Sequence, residues 1–356
     1  MIQILHNVNI DWLGHRRKFI FVSIVLMLAG LISAVARQAV PGGTDAFNLG
    51  VDFKGGTVVT VGFLKGDMPT AGAVNDQLNK QGVKDAIVQQ VKGKQQYLIK
   101  LPQQGTTAAS TNESAAEVDS GRSKVRTALT AFGPEYSADK PNEGVFKIEG
   151  TDAVGPVAGQ QLRNQAIAVT LAALAGMLVF ISFRFEWTYG AAAVIAVFHD
   201  VLVTIGIFSI FQWEISLTVI AALLTLVGFS VNDSIVVFDR IRENIKLHRR
   251  DSLYKVTNDS INQTLSRTII TSGLVFLSVL AMVLFGGEVL RGFSTALLIG
   301  VAFGTYSSVA IASPIMVWWQ QRLDAQKTGA APANERSVAS TGRSNRTRTA
   351  SVAGNR

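Results

Sequence analysis

The sequence contains no cysteine, so a disulfide framework and thiolate metal centres are both excluded. Its four histidines, His6, His15, His199 and His248, form no His-x-x-x-His pair, and no metal site is expected. No Gly-x-x-x-x-Gly-Lys-Ser/Thr stretch is present, which leaves a nucleotide-driven engine without its phosphate-binding loop. No nucleophile–base set appears either, so neither enzymatic activity nor a cofactor is expected. Charge is scarce: 16% of the 356 residues are Asp, Glu, Lys or Arg, against about a quarter in an average soluble domain. Hydrophobic residues make up 48% of the chain and the mean hydropathy is +0.30. That balance indicates membrane segments, and the net charge of +8 then matters mainly through its placement.

Six apolar runs are present. The first, residues 19–36, is uncharged and spans ~27 Å as a helix, enough to cross a hydrocarbon core. Basic residues before it and Ala34-Val-Ala36 at its end also suit a secretory signal. Such signals have apolar regions of ~7–15 residues, so an uncleaved anchor is favoured. The other runs cover about residues 166–183, 189–211, 217–238, 269–285 and 293–319. A long connection, 239–268, holds Arg240, Arg242, Lys246, Arg249, Arg250, Lys255 and Arg267, whereas the turns 212–216 and 286–292 are nearly free of basic residues. This bias places both termini (1–18 and 321–356) in the cytoplasm and residues 37–163 outside. The tail, rich in Ser, Thr, Ala and Arg, is expected to be disordered, a solvated topology signal rather than a nucleic-acid contact.

Residues 37–163 carry near-equal basic and acidic charge and read as a small folded domain. Alternating apolar residues predict strands over 57–63, 86–91, 96–101 and 145–149. Helical spacing predicts helices over 69–82 and 117–132, each stopped by a glycine, with a loop over 103–114 between domain halves. The order βαββαβ predicts a ferredoxin-like α+β domain between crossings 1 and 2 of an α-helical membrane protein.

Polar groups within the runs are the candidate site. Asp233, beside Asn232 in the fourth crossing, lies ~8 Å from that run's inner end. Arg267 begins the fifth crossing at a similar depth, so the two charges could pair. Thr264, Arg267, Thr271 and Ser278 form one polar stripe, and Thr225, Gly228 and Asn232 another; facing each other, they could hold water. Two readings follow: a protonatable carboxylate in a relay, or a static ion pair that fixes packing. His199-Asp200, midway along the third crossing, suits a proton path equally well as a structural pair and ranks below Asp233. Gly300 and Gly304 form Gly-x-x-x-Gly, a weak signal for close helix packing.

Nine stretches in order resemble the SecD/SecF family of protein-export membrane subunits, within the RND superfamily, and its SecF side in particular. They are Gly50-Val-Asp-Phe-Lys-Gly-Gly56, Val154-Gly-Pro156, Phe183-Arg-Phe-Glu-Trp187, His199-Asp200, Gly228-Phe-Ser-Val-Asn-Asp-Ser234, Val237-Phe-Asp-Arg-Ile-Arg-Glu-Asn244, Thr264-Leu-Ser-Arg-Thr268, Phe285-Gly-Gly287 and Gly304-Thr-Tyr-Ser-Ser308. They span about residues 12–320; Phe229 departs from the family's frequent Tyr. The resemblance implies half of an RND-type membrane domain, with SecD supplying the other half in a bacterial cytoplasmic membrane. It implies work beside the SecYEG channel and YajC, after SecA has acted, on an unfolded exported polypeptide, driven by the proton gradient. It also implies that Asp233 and Arg267 take part in proton movement, and that Asp52, Phe53, Gly55 and Gly56 form the family motif outside the membrane. Two competitors remain: a half-size RND-like exporter of small molecules or lipids, and a passive scaffold.

Overall fold

The computed structural model describes residues 9–39, 45–64, 68–83, 86–91, 94–102, 113–137, 144–184 and 186–328. Most of the expected loop 103–114 and the tail from 329 onward lie outside the described residues.

Among the described residues, the apolar runs form six helices long enough to cross a membrane. They are α1 (Arg16–Ala39), α5 (Pro156–Arg184), α6 (Trp187–Phe211), α7 (Leu217–Leu247), α8 (Leu253–Phe285) and a final span. The final span joins α9 (Gly287–Ser307), a π-helical turn (Ser308–Ala312) and α10 (Ser313–Thr328). Pro314 explains the turn. It has no N–H to give and its ring crowds the carbonyl four residues earlier, so the ladder widens by one residue. Ser313 Oγ donates to Ser308 O at 3.0 Å, five residues back. The helices α6 and α7 and the final span are central, with at least half of their apolar windows buried, whereas α1, α5 and α8 are peripheral. Large apolar side chains such as Phe21, Phe183 and Phe285 point outward from the peripheral helices, as a hydrocarbon environment requires.

Two expectations are corrected here. Residues 239–268 are not a loop: α7 and α8 continue through them and turn only over 248–252. Ser252 caps α8 by accepting from Lys255 N at 3.3 Å, and local ion pairs Arg240–Glu243 and Lys255–Asp251 support the two extensions. The extensions meet where Arg240 Nε and Asn244 Nδ2 of α7 donate to Gln263 Oε1 of α8 at 2.6 and 2.9 Å. The charge pattern marked where the apolar segments end, and helix pairing extended the helices past it. Likewise, residues 321–328, expected within a disordered tail, finish α10.

Between α1 and α5 lies the ferredoxin-like domain. After a short α2 (Val51–Lys54) come β1 (Gly56–Phe63), α3 (Ala71–Lys80), β2 (Ile87–Gln90), β3 (Gln96–Pro102), α4 (Glu113–Leu129) and β4 (Phe146–Val154). The antiparallel sheet runs β2-β3-β1-β4. Alternate residues of β1, namely Val59, Val61 and Phe63, are buried with Val74 and Leu78 of α3 and Val125 and Leu129 of α4. Truncating Leu129 to Ala would cost about 2–5 kcal/mol. Thr70 caps α3 through Ala73 N at 3.3 Å. Strand β4 runs past the expected end at 149, because it pairs with all of β1 through a register shift beside Thr60 and Val61.

Candidate functional site

The centre of the helix bundle holds two carboxylates. Asp200, on α6, is fully buried. His199 Nδ1 is hydrogen-bonded to its Oδ1 at 3.0 Å. Ser230 Oγ of α7 and Ser307 Oγ of α9 donate to its Oδ2 at 2.6 and 2.7 Å. One side chain thus collects donors from three helices, which offsets much of the cost of burying it. Small residues permit the approach. A Cβ on Gly304 would sit 3.2 Å from the Ser230 Cβ, and one on Gly300 would meet the Leu226 side chain at 2.6 Å. The Gly-x-x-x-Gly face of α9 therefore lies against α7 at the turn carrying Ser230. His199 Nε2 is buried with no hydrogen-bond partner among the described residues.

Asp233 lies one helical turn beyond Ser230 on α7, about 4.5 Å along the axis. It is 2% exposed and accepts a hydrogen bond from Ser272 Oγ of α8 at 2.7 Å. The expected contact with Arg267 is not formed: no ion pair joins them within 4.0 Å, and Arg267 is exposed. Ser272, five residues farther along α8, takes the position facing the carboxylate. Equal depth in two helices did not establish that the residues face each other. Asn232 is exposed as well, as are Thr225, Gly228, Thr271 and Ser278, so the two polar stripes open largely onto the outer surface of this chain. Of those seven residues, Thr264 alone is buried, with its hydroxyl on the Ser260 carbonyl at 3.0 Å. The serines at 230, 272 and 307 were not among the expected site residues. The signal was present, since each is a hydroxyl within an apolar run.

The Gly50–Gly56 segment is set apart from both carboxylates. Gly55 and Gly56 have φ of 80° and 141°, which side-chain-bearing residues rarely adopt, and Phe53 is buried against Phe208 and Ile215. Asp52 Oδ2 accepts from the Leu217 N–H at 2.9 Å. Among the described residues, no three His, Asp or Glu side chains converge as metal ligands.

The family described as protein export membrane protein SecD/SecF, C-terminal, matches residues 137–322, and the SecD/SecF GG motif matches residues 43–63. The chain belongs to the SecD/SecF family. A protein translocase subunit SecF from Koribacter versatilis is 42% identical over 93% of this chain and 96% of its own length. The SecF subunit of Pseudomonas aeruginosa is 36% identical over 87% of this chain and 91% of its own. The crystal structure of SecDF, a translocon-associated membrane protein from Thermus thermophilus, superposes with a TM-score of 0.70 at 34% identity. That match covers 88% of this chain and 39% of the SecDF chain. Among SecD/SecF proteins, then, this chain corresponds to a single SecF-sized unit with a six-helix bundle and one ferredoxin-like domain.

Proposed function

We propose that the chain serves as the SecF-type accessory subunit of a Sec translocase, acting with SecD. In this reading it converts an ion gradient, taken as protons, into late, SecA-independent movement of an exported polypeptide through SecYEG. YajC is a further associate, and the chain itself performs no enzymatic reaction. The observation that carries the mechanism is Asp233: a carboxylate buried in an apolar bundle, held by a single hydroxyl.

Charge placement supports the orientation. The basic residues around the α7–α8 turn and before α1 share one end of the bundle, where Asn258 and Asn262 bind the backbone at Ile10. That end is assigned to the cytoplasm of a bacterial cell and the ferredoxin-like domain to the outer side. The exposed Asn232, Arg267 and Thr271 support SecD as the covering partner, since a polar face at membrane depth requires protein or water beside it. Protonating Asp233 would remove its charge from beside Ser272 and from the field of Arg267, biasing the packing of α7 against α8. One proton crossing ~100 mV supplies ~2.3 kcal/mol, enough to bias such a pair of states.

The test is export into inverted membrane vesicles after SecA has acted, with and without an imposed gradient. Native chain and Asp233→Asn are each co-expressed with SecD. Gradient stimulation is expected with the native chain and not with Asp233→Asn. An Asn variant that assembles and responds like the native chain would show that Asp233 is a packing group, and the scaffold reading would replace this one.

A further inference from the structure

Helix α7 begins without a cap of its own. Ser216, at the capping position, makes no side-chain bond to the helix backbone; its hydroxyl lies 2.8 Å from Thr218 Oγ1 instead. The first turn of a helix leaves N–H groups unpaired and carries partial positive charge. The acceptor comes from 165 positions earlier in the chain: Asp52 Oδ2 binds the Leu217 N–H at 2.9 Å.

The cap is part of a wider contact with the α6–α7 turn. Gly50 N–H donates to Ile215 O at 2.9 Å, and Ile215 N–H donates to Asn48 O at 2.8 Å. Asn48 Nδ2 donates to Gln212 O at 3.0 Å, and Ser209 Oγ donates to Ala46 O at 2.8 Å. Lys100 of β3 pairs with Glu214, both partly buried. The approach at Gly50 is close: a Cβ there would stand 2.7 Å from Glu214 Oε1 and would have to displace that carboxylate. Gly159 of α5 closes the other side, with Phe53 and Gly55 backbone atoms 3.1–3.2 Å from where its Cβ would be. The segment is therefore seated between the start of α5 and the turn joining the helices that carry Asp200 and Asp233.

From this seating we infer that residues 46–53 form a fixed joint through which the outer domain moves as one body with the α6–α7 hairpin. Asp52 is the positioning residue that holds the α7 end. The joint translates a change in α7 packing into tilt of the outer sheet, with β1 continuing directly from the segment. Its role in export rests on the gradient-coupled reading above; its existence does not.

The absence of native cysteines makes the test clean. Leu49 and Ile215 form a parallel bridge, so Leu49→Cys with Ile215→Cys reports docking by disulfide formation, without any export assay. In the full chain assembled with SecD, Asp52→Ala should slow that cross-link about five-fold, the size expected for loss of a helix cap. Asp52→Asn, which still offers an oxygen, should restore most of it. In vesicles, Asp52→Ala should lose gradient-stimulated export, and the preformed disulfide should return it. In the otherwise native chain the disulfide should leave export unchanged. An unaltered cross-linking rate in Asp52→Ala would overturn the joint. A disulfide that abolishes native export would show that the contact must open, and would overturn its fixed character. If Asp233→Asn, run in parallel, leaves the gradient response intact, the coupling reading fails, while slowed cross-linking in Asp52→Ala would still uphold the joint.

Discussion

The two buried carboxylates sit on neighbouring turns of one bundle and are held in different ways. Asp200 has three side-chain donors drawn from α6, α7 and α9, and no exposed surface. Asp233 has one, Ser272, and adjoins Asn232 on the uncovered face of α7. A carboxylate bound at both oxygens is costly to alter, because any change leaves several buried groups unpaired. A carboxylate bound at one oxygen can exchange partners at the price of a single hydrogen bond. On the proposed reading the difference would separate their roles, with Asp200 fixing the crossing of three helices and Asp233 the group that switches.

Replacing Asp200 is the strongest way to break that comparison. Asp200→Ala strands Ser230, Ser307 and the His199 ring, and should lower stability by about 3–5 kcal/mol. Thermal unfolding of the purified SecD-bound complex would show it, whereas Asp233→Asn should lie within ~1 kcal/mol of the native complex. If the two variants exchange those values, the assignment of roles is reversed. Next in size is Gly304→Leu. It drives a branched side chain against Ser230 and should cost about 1–3 kcal/mol through overpacking, with separation of α9 from α7 measurable by cysteine cross-linking. Gly228→Leu, on the exposed side of α7 with nothing within 4 Å of its Cβ, should leave the isolated chain unaffected. Third is Ser272→Ala. It removes the one hydroxyl on Asp233 and should cost about 1–2 kcal/mol, while shifting the pH at which gradient-driven export is half-maximal. An unchanged pH profile would indicate that Ser272 is only a packing neighbour.

Much of the fold was legible because its elements are local patterns. Apolar length marked every crossing, and alternation in Val59, Val61 and Phe63 with helical spacing in Val125 and Leu129 gave the order of the outer domain. Asp233 and Asp200 stood out because charge within an apolar run is rare. What the sequence left open was azimuth. Arg267 and Ser272 are five residues apart on one helix, and only the packing of α8 on α7 decides which of them faces Asp233. The same holds for Ser307, whose contact with Asp200 depends on how Gly304 seats α9. Helix ends past the apolar core were also misjudged, because Arg240–Glu243 and the Ser252 cap stabilise helix where composition alone reads as loop.

The smallest effect lies at the opposite end of the bundle from the Asp52 joint, and it sharpens the comparison by offering a carboxylate in solvent. Asp11 Oδ1 accepts from Tyr254 OH at 2.6 Å and from Gly14 N at 2.9 Å. Those bonds, the tyrosine first, hold its carboxyl below the usual 3.8. A lowered folded-state value means that the ionised form favours the docked segment. That contribution is complete above the unfolded value of about 3.9 and is lost as pH falls through the lower, docked value. Nearby, Asn258 and Asn262 bind the backbone at Ile10 and Trp12 irrespective of pH, and Leu13 is fully buried. Acid should therefore loosen the segment without releasing it. A cysteine at Ile10 should react slightly faster with 4,4′-dithiodipyridine, a thiol reagent that remains active in acid, once the pH falls below the docked value in the native chain, and Asp11→Asn should abolish that acid dependence. Asn258→Ala should raise labelling at every pH and by more. Equal acid responses in native and Asp11→Asn chains would show that Asp11 is not the titrating group.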